Sequence, residues 1–235
     1  SELSLIQPLM TLCLLLGNTI TVMLEPLMIE SIATNKYDEI KKIRISLMCL
    51  LYIPIVLVMT LNKHLYAIWL PKENNVVLYN LTFLMCLQIL FSFINYMSFS
   101  AITTLLREKI KGIGFIVSTV LYVCLIILLN KKLALDNYHI IFAGIISYVL
   151  YFVIFIPLCA KKLLKETNKK VNLIYLKDYF CILVTMLINV LVAKIIPLNN
   201  ILLFMIMCLV CACVDYVIVL HAYKIKPSEM IKSVK

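Results

Sequence analysis

The sequence predicts an all-α polytopic membrane protein, a bundle of about seven transmembrane helices. Of its 235 residues 63% are hydrophobic, and the mean hydropathy is +1.03, well above the values of soluble domains. The sequence contains seven apolar runs, most of them close to the roughly 20 residues that a membrane span needs. Each run must form a helix, because lipid offers no hydrogen-bonding partner to an open backbone.

The predicted spans follow one another with short connections. The second is short, whereas the first and third are long enough for tilt or an interfacial extension. Between the first two, KYDEIKKIRI places Tyr37, Ile40 and Ile43 on one face, which predicts a short interfacial helix. Without a Gly/Ser linker, residues 1–235 form a single transmembrane domain, with 223–235 as a basic cytoplasmic tail. The spans lie near residues 3–32, 46–62, 76–102, 112–130, 139–160, 178–197 and 201–222.

Lysine and arginine are distributed unevenly over the connections. Connections on one side, together with the tail, hold 17 of the 22 basic residues. The positive-inside rule then places the N-terminal end outside and the C-terminus in the cytoplasm. The net charge of +10 therefore reflects topology and attraction to anionic membrane lipids, about 1 kcal/mol per charge, and no nucleic-acid partner is expected. An outside start predicts the C-terminal part of a longer chain. The alternative is a complete protein inserted with its N-terminus outside.

Polar side chains recur along the first span. Gln7, Thr11, Asn18, Thr21 and Glu25 follow one another at steps of four, seven, three and four residues, which places them on one helical stripe. Polar groups at membrane depth are costly and normally face a bundle interior or a wet cavity. Glu25, followed by a proline that permits a kink, is therefore a candidate for cation coupling. The alternative is a hydrogen bond to a neighbouring helix or snorkelling of Glu25 to the inner surface.

Shorter polar stripes recur on the later spans. Interhelical hydrogen bonds alone explain any single stripe, whereas several stripes together predict a hydrated central cleft. Asp215, deep in the last span, is the second candidate for cation coupling. It either pairs with a donor on a neighbouring helix or reaches the inner surface. The remaining cleft candidates are Gln88, Ser92 and Asn95 on the third span, Ser118 and Tyr122 on the fourth, and Ser147 and Tyr151 on the fifth.

The sequence gives little support to catalysis. The predicted outer connections are short and hold few titratable groups, and there is no nucleotide-binding fingerprint, HExxH motif or nucleophile elbow. Cys208, Cys211 and Cys213 form a CxxCxC pattern, but small polarisable core residues are the better interpretation than a metal site. The protein is therefore predicted not to be an enzyme and to need no cofactor or metal.

The order of these features resembles a known family. A polar-striped helix ending in LEPLMIES is followed by the amphipathic ATNKYDEIKKIRIS and the proline-containing LYIPIVLV. Then come the outer IWLPKEN, the basic LLREKIKGIGFI and the closing YKIKPSEMIKSVK. In this order the chain resembles the C-terminal half of the polysaccharide or O-antigen flippases of the multidrug/oligosaccharidyl-lipid/polysaccharide exporter superfamily.

The resemblance implies a transporter of the bacterial inner membrane, built from two helical bundles. This chain would supply one bundle, and the missing N-terminal bundle would be its partner. The cargo would be a lipid-linked oligosaccharide, flipped by alternating access. Relatives that move pyrophosphate-linked cargo are expected to have cationic cavity residues, but the stripes here carry none at mid-depth, so the absent half would supply them. Alternatives are a cation-coupled drug or metabolite antiporter of the same superfamily and a membrane enzyme of glycan assembly.

Overall fold

The computed structural model describes residues 2–72, 75–132, 137–167, 176–195 and 200–224. Within these residues the chain is helical and has no strand, so the predicted all-α fold is confirmed. The helices are α1 (Glu2–Ala33), α2 (Tyr37–Leu47), α3 (Ile53–Trp69), α4 (Val76–Ile94), α5 (Tyr96–Thr104), α6 (Glu108–Lys132), α7 (Asn137–Tyr148), α8 (Ile156–Glu166), α9 (Leu176–Ile195) and α10 (Ile201–Tyr223).

Six helical stretches of the described residues are long and apolar enough to cross a membrane, as in a multi-pass membrane protein. Together they overlap the first five predicted spans and the last one. The predicted span 178–197 corresponds to α9, whose stretch 177–194 contains three charged residues, Lys177, Asp178 and Lys194. Its membrane crossing stays a prediction. The six stretches are Leu3–Ala33, Asp38–Trp69, Val76–Thr104, Glu108–Leu129, Asn137–Glu166 and Ile201–Tyr223.

Two of these stretches contain a π-helical turn that ends two residues before a proline. Met48–Tyr52 joins α2 to α3 ahead of Pro54, and Val149–Phe155 joins α7 to α8 ahead of Pro157. A proline has no N–H to donate, and its ring crowds the carbonyl four residues earlier. In both turns the residue before the proline donates instead to the carbonyl five residues earlier. The wider turn accommodates the proline, and each helix continues without a break.

The bundle has a central helix and a peripheral one. α3 packs against α4, α9 and α10, whereas α6 packs mainly against α7. In the apolar part of Asp38–Trp69 61% of the residues are buried by protein, against 6% in Glu108–Leu129. α1 lies between these extremes, because it packs against α2, α4 and α5 and leaves its other face open.

The segment predicted as an interfacial helix belongs to the bundle instead. Ile40, Ile43 and Ile45 on α2 are buried in the hydrophobic core, where α2 packs against α1 and α10. The side chain of Tyr37 lies outside the described residues. The amphipathic pattern was therefore correct for a helix with one apolar face, but that face meets protein and not lipid.

Candidate functional site

The polar stripe of α1 divides into an exposed part and a buried part. Gln7, Thr11 and Asn18 are exposed on the open face of α1. Gln7 and Thr11 also line a shallow open hollow on this face. These side chains belong to Leu3–Ala33, a stretch long and apolar enough to cross a membrane, and lipid would offer them no hydrogen-bonding partner there. This face of α1 therefore requires water or further protein against it.

The other end of the stripe meets α5. The Thr21 hydroxyl is buried and hydrogen-bonds the carbonyl oxygens of Gly17 and Asn18, both at 2.9 Å. The Tyr96 hydroxyl donates to the carbonyl oxygen of Thr21 at 3.1 Å, and it interacts with the carboxyl group of Glu25. Glu25 is partly buried. The structure thus gives this carboxyl group a neighbouring hydroxyl at the contact between α1 and α5.

The predicted polar residues of α4 are used in contacts between helices. The amide of Gln88 packs against Gly144 of α7, so closely that a Cβ atom there would lie 3.1 Å from the amide nitrogen. Asn95, at the junction of α4 and α5, is buried. Its amide nitrogen donates to the carbonyl oxygen of Phe152 at 3.0 Å and to the hydroxyl of Tyr179 at 2.8 Å. Asn95 therefore joins the junction of α4 and α5 to the π turn before α8 and to α9.

The stripes on α6 and α7 meet each other. The hydroxyl oxygens of Ser118 and Ser147 are 2.6 Å apart, and the Ser147 hydroxyl also donates to the Ser118 carbonyl at 2.9 Å. The Tyr151 hydroxyl donates to the carbonyl oxygen of Lys111 at 2.9 Å. Tyr122 is partly buried. These pairs fix α6, which has little other protein contact, against α7 and the π turn that follows.

A hollow of about 240 Å³ lies beside this contact. Ser118 and Tyr151 reach it, but its other walls are apolar, so it suits hydrocarbon better than sugar. The full lining of the hollow is Ile113, Gly114, Val117, Ser118, Leu121, Leu150, Tyr151 and Phe155.

On α4, the Ser92 hydroxyl donates within its own helix to the Ile89 carbonyl at 2.6 Å.

The predicted polar residues line different hollows: Gln7 and Thr11 line one, and Ser118 and Tyr151 line another. Helical periodicity identifies a face on each helix, but it does not specify where that face points once the helices pack. Gln7, Thr11 and Asn18 remain on an open face, and their part in a substrate path stays a prediction. The following residues make hydrogen bonds or close contacts within the bundle, and their part in a cleft lining also stays a prediction: Thr21, Gln88, Asn95, Ser118, Ser147 and Tyr151.

A buried ion pair was not foreseen from the sequence. Arg44 of α2 donates to the carboxylate of Asp178 on α9, and the hydroxyl of Tyr223 on α10 donates to the same carboxylate. The Arg44 and Asp178 side chains are 6% and 4% exposed. Arg44 is one of the basic residues counted for the positive-inside rule, and nothing in the sequence connects it to a residue 134 positions away.

Asp215 also has a partner on a neighbouring helix. The Asn189 amide on α9 donates to one oxygen of the Asp215 carboxyl group at 2.8 Å. Both side chains are wholly buried. Of the two predictions for Asp215, pairing with a neighbouring donor is therefore correct, and contact with the inner surface is wrong.

The described side chains offer no metal site, and comparison with known proteins assigns no function to the chain. Among the described residues no three His, Cys, Asp or Glu side chains could hold a metal ion together. Comparison of the chain with protein-family models, curated proteins and solved structures finds no match. What the protein does must therefore be argued from its sequence features and from the geometry given above.

Proposed function

We propose that the protein is a membrane transporter that flips or exports lipid-linked oligosaccharide, a polysaccharide or O-antigen repeat unit, across the bacterial inner membrane. The order of sequence features supports this proposal, because it resembles the C-terminal half of such flippases. Transport would proceed by alternating access between this bundle and an N-terminal bundle of the same chain. The N-terminal end of this part would lie outside and its C-terminus in the cytoplasm.

The exposed polar face of α1 carries the proposal. Gln7, Thr11 and Asn18 are exposed there, and leaving one amide or hydroxyl in hydrocarbon without a partner costs about 4–8 kcal/mol on a water-to-cyclohexane scale. The exposed face of α6 is different, because it presents apolar side chains such as Val117 and Val120. The open face of α1 also exposes Leu12 and Leu15, so it is mixed, whereas the exposed face of α6 is mainly apolar. A mixed face suits a wet boundary with a second bundle.

The same face meets the physical need of the cargo. An oligosaccharide carries many hydroxyl groups, and each would lose its hydrogen bonds in the hydrocarbon core. A seam of amides and hydroxyls along one helix offers replacement partners, while the lipid tail of the cargo stays in the membrane. Glu25, at the inner end of this seam, is the proposed coupling residue.

Substituted-cysteine labelling tests the proposed wet boundary in the whole protein. In a background without native cysteines, positions 7, 11 and 18 are replaced by cysteine one at a time, and each variant is treated with a membrane-impermeant maleimide. Cysteines at 117 and 120 on α6 are the matched controls, because these positions are also exposed but lie on an apolar face that would meet lipid. We expect labelling at the α1 positions and none on α6. Equal resistance at all five positions would refute the water-accessible face.

The cargo is tested separately in cells. Depletion of the protein should cause lipid-linked oligosaccharide to accumulate on the cytoplasmic side of the membrane while surface glycan disappears. Normal surface glycan after depletion would reject the assigned cargo but not the wet face. The two experiments therefore distinguish a transporter of another substrate from a protein that transports nothing.

A cation-coupled exporter of drugs or metabolites is the second candidate. It is favoured by the lack of Lys and Arg on the stripes at mid-depth, because a pyrophosphate-linked cargo calls for positive charge. Reconstituted protein that moves small amphiphiles down an imposed ion gradient, and leaves lipid-linked glycan in place, would support this candidate over the first.

A further inference from the structure

The pair formed by Asn189 and Asp215 has one hydrogen bond where its chemistry allows two. The Asn189 amide nitrogen donates to one carboxyl oxygen of Asp215 at 2.8 Å. The second carboxyl oxygen and the amide oxygen of Asn189 are both buried and have no hydrogen-bond partner. Buried polar atoms in native proteins are nearly always paired, so two unpaired oxygens on two joined side chains call for an explanation.

The surroundings of the pair are apolar. α10 packs against α9, α3, α2 and the π turn Met48–Tyr52. Cys211, one helical turn before Asp215, interacts electrostatically with that carboxyl group. Cys211 in turn packs with Leu61 of α3. A carboxylate in such a place would be buried without a counter-charge.

The charged groups on the neighbouring elements lie elsewhere. Arg44 on α2 pairs with Asp178 on α9 beside Tyr223, which is eight residues, or about 12 Å, farther along α10 than Asp215. In the π turn, Tyr52 donates to a carbonyl oxygen of α4. Toward the opposite ends of α3 and α9, His64 hydrogen-bonds the carbonyl of Ala193. The other charged side chains of α2, α3 and α9 are exposed: Asp38, Glu39, Lys41, Lys42, Lys63, Lys177 and Lys194.

One added proton satisfies both unpaired oxygens. An ionised carboxylate only accepts hydrogen bonds, whereas a carboxylic acid also has one O–H donor. With the proton on its free oxygen, Asp215 can donate to the amide oxygen of Asn189 while it accepts from the amide nitrogen. The two planar groups then form a cyclic pair with two hydrogen bonds and no net charge. Neutralisation is the usual outcome for a carboxyl group buried without a counter-charge.

We propose that Asp215 and Asn189 form a proton-binding site, in which Asp215 is held as the neutral acid between α9 and α10. Loss of the proton would leave a carboxylate with a single hydrogen bond in apolar surroundings, which weakens the contact between the two helices. Proton occupancy therefore controls how firmly α9 and α10 are joined. The proposal deepens the coupling role predicted for Asp215, but it does not depend on the identity of the cargo.

Infrared difference spectroscopy of the whole protein tests the site. The spectrum of Asp215→Asn is subtracted from that of the parent at neutral pH. We expect the difference to contain the carbonyl stretch of a protonated carboxylic acid. Asp178→Asn is the matched control, because Asp178 is paired with Arg44 and its loss should remove carboxylate bands alone. Carboxylate bands in the Asp215 difference spectrum would overturn the proposal. A band that shifts when sodium replaces potassium would also overturn it, because the site would then bind a metal cation.

A second variant keeps the test decisive if Asp215→Asn does not fold. Asn189→Leu retains the acid and removes both of its partners. The acid band of Asp215 should then move to the higher frequency of a carbonyl group without a hydrogen bond. An unchanged band in Asn189→Leu would show that the two side chains do not share the proton, and the proposal would be wrong.

Discussion

Replacement of Asp178 by asparagine is the sharpest test of how the bundle is held together. The variant keeps the size of the side chain and removes its charge. In the parent, the carboxylate accepts hydrogen bonds from Arg44 of α2 and Tyr223 of α10. After the change, the guanidinium of Arg44 is still buried but has lost its counter-ion.

The magnitude follows from the burial of the pair. The two side chains are 6% and 4% exposed, so solvent screens their interaction very little. Removal of one partner from a buried ion pair costs about 3–5 kcal/mol. Because the asparagine oxygen can still accept one hydrogen bond, we expect Asp178→Asn to lower the free energy of unfolding by about 3 kcal/mol, near the lower end of that range.

The assay is SDS titration of the purified protein in mixed micelles, followed by circular dichroism. Lys36→Met is the matched control, because Lys36 also pairs with a carboxylate, Glu39, at 3.2 Å, but both side chains are about half exposed. The hydrogen bond and charge of Glu39 raise the pKa of Lys36, so Lys36 stays protonated, yet exposed pairs contribute little. The control should show no measurable loss. A loss for Asp178→Asn as small as that of the control would refute the argument.

A double variant separates the pair from its individual members. Arg44→Met combined with Asp178→Leu removes both charges and leaves apolar side chains of similar volume. Such replacements of the ion pair itself are often neutral. The double variant should therefore lose only about 1–3 kcal/mol, the cost of leaving the buried Tyr223 hydroxyl without its acceptor. If its loss equals the sum of the two single losses, the residues act independently and the ion pair is not a unit.

Three further predictions follow from other contacts and from the topology. Gly114→Ala should lower the free energy of unfolding by about 1–3 kcal/mol through overpacking, because its Cβ would lie 2.4 Å from an aromatic ring. Gly112→Ala is the control, because a Cβ there would have nothing within 4 Å. Equal losses for the two variants would show that overpacking is not the cause. Glu25→Gln should reduce cargo export and leave membrane insertion intact, whereas unchanged export removes the coupling role. A reporter fused after Lys170 should be cytoplasmic and one inserted near Lys72 external, and the reverse result would overturn the topology.

The helices could be predicted from the sequence because each one corresponds to a local run of apolar residues. Apolar runs separated by lysines gave six stretches that the structure also contains. The serines of α6 and α7 show how far such patterns extend. Ser118 and Ser147 were each recognised as polar at membrane depth, and the structure places them in direct contact. Their partnership itself was not predictable, because it depends on how α6 lies against α7.

The remaining part of the site depends on distant contacts. Arg44 and Asp178 are far apart in the chain, and each is ordinary in its local sequence. Likewise, Gln88 and Asn18 both belong to polar stripes, yet Asn18 is exposed whereas Gln88 packs against another helix. The direction of a stripe is set by tertiary packing, which a periodicity of 3.6 residues does not contain.

The π turn between α2 and α3 aligns the two helices rotationally. Ile43 and Ile55 are 12 residues apart, and in an uninterrupted α-helix their directions would differ by about 120°. One residue absorbed by the wide turn reduces that difference to about 20°. Both isoleucines are accordingly buried, on a common side of one long helix. The wide turn at this proline thus shifts the helical register by one residue. As a result, α2 and α3 together present one continuous apolar surface to their neighbours.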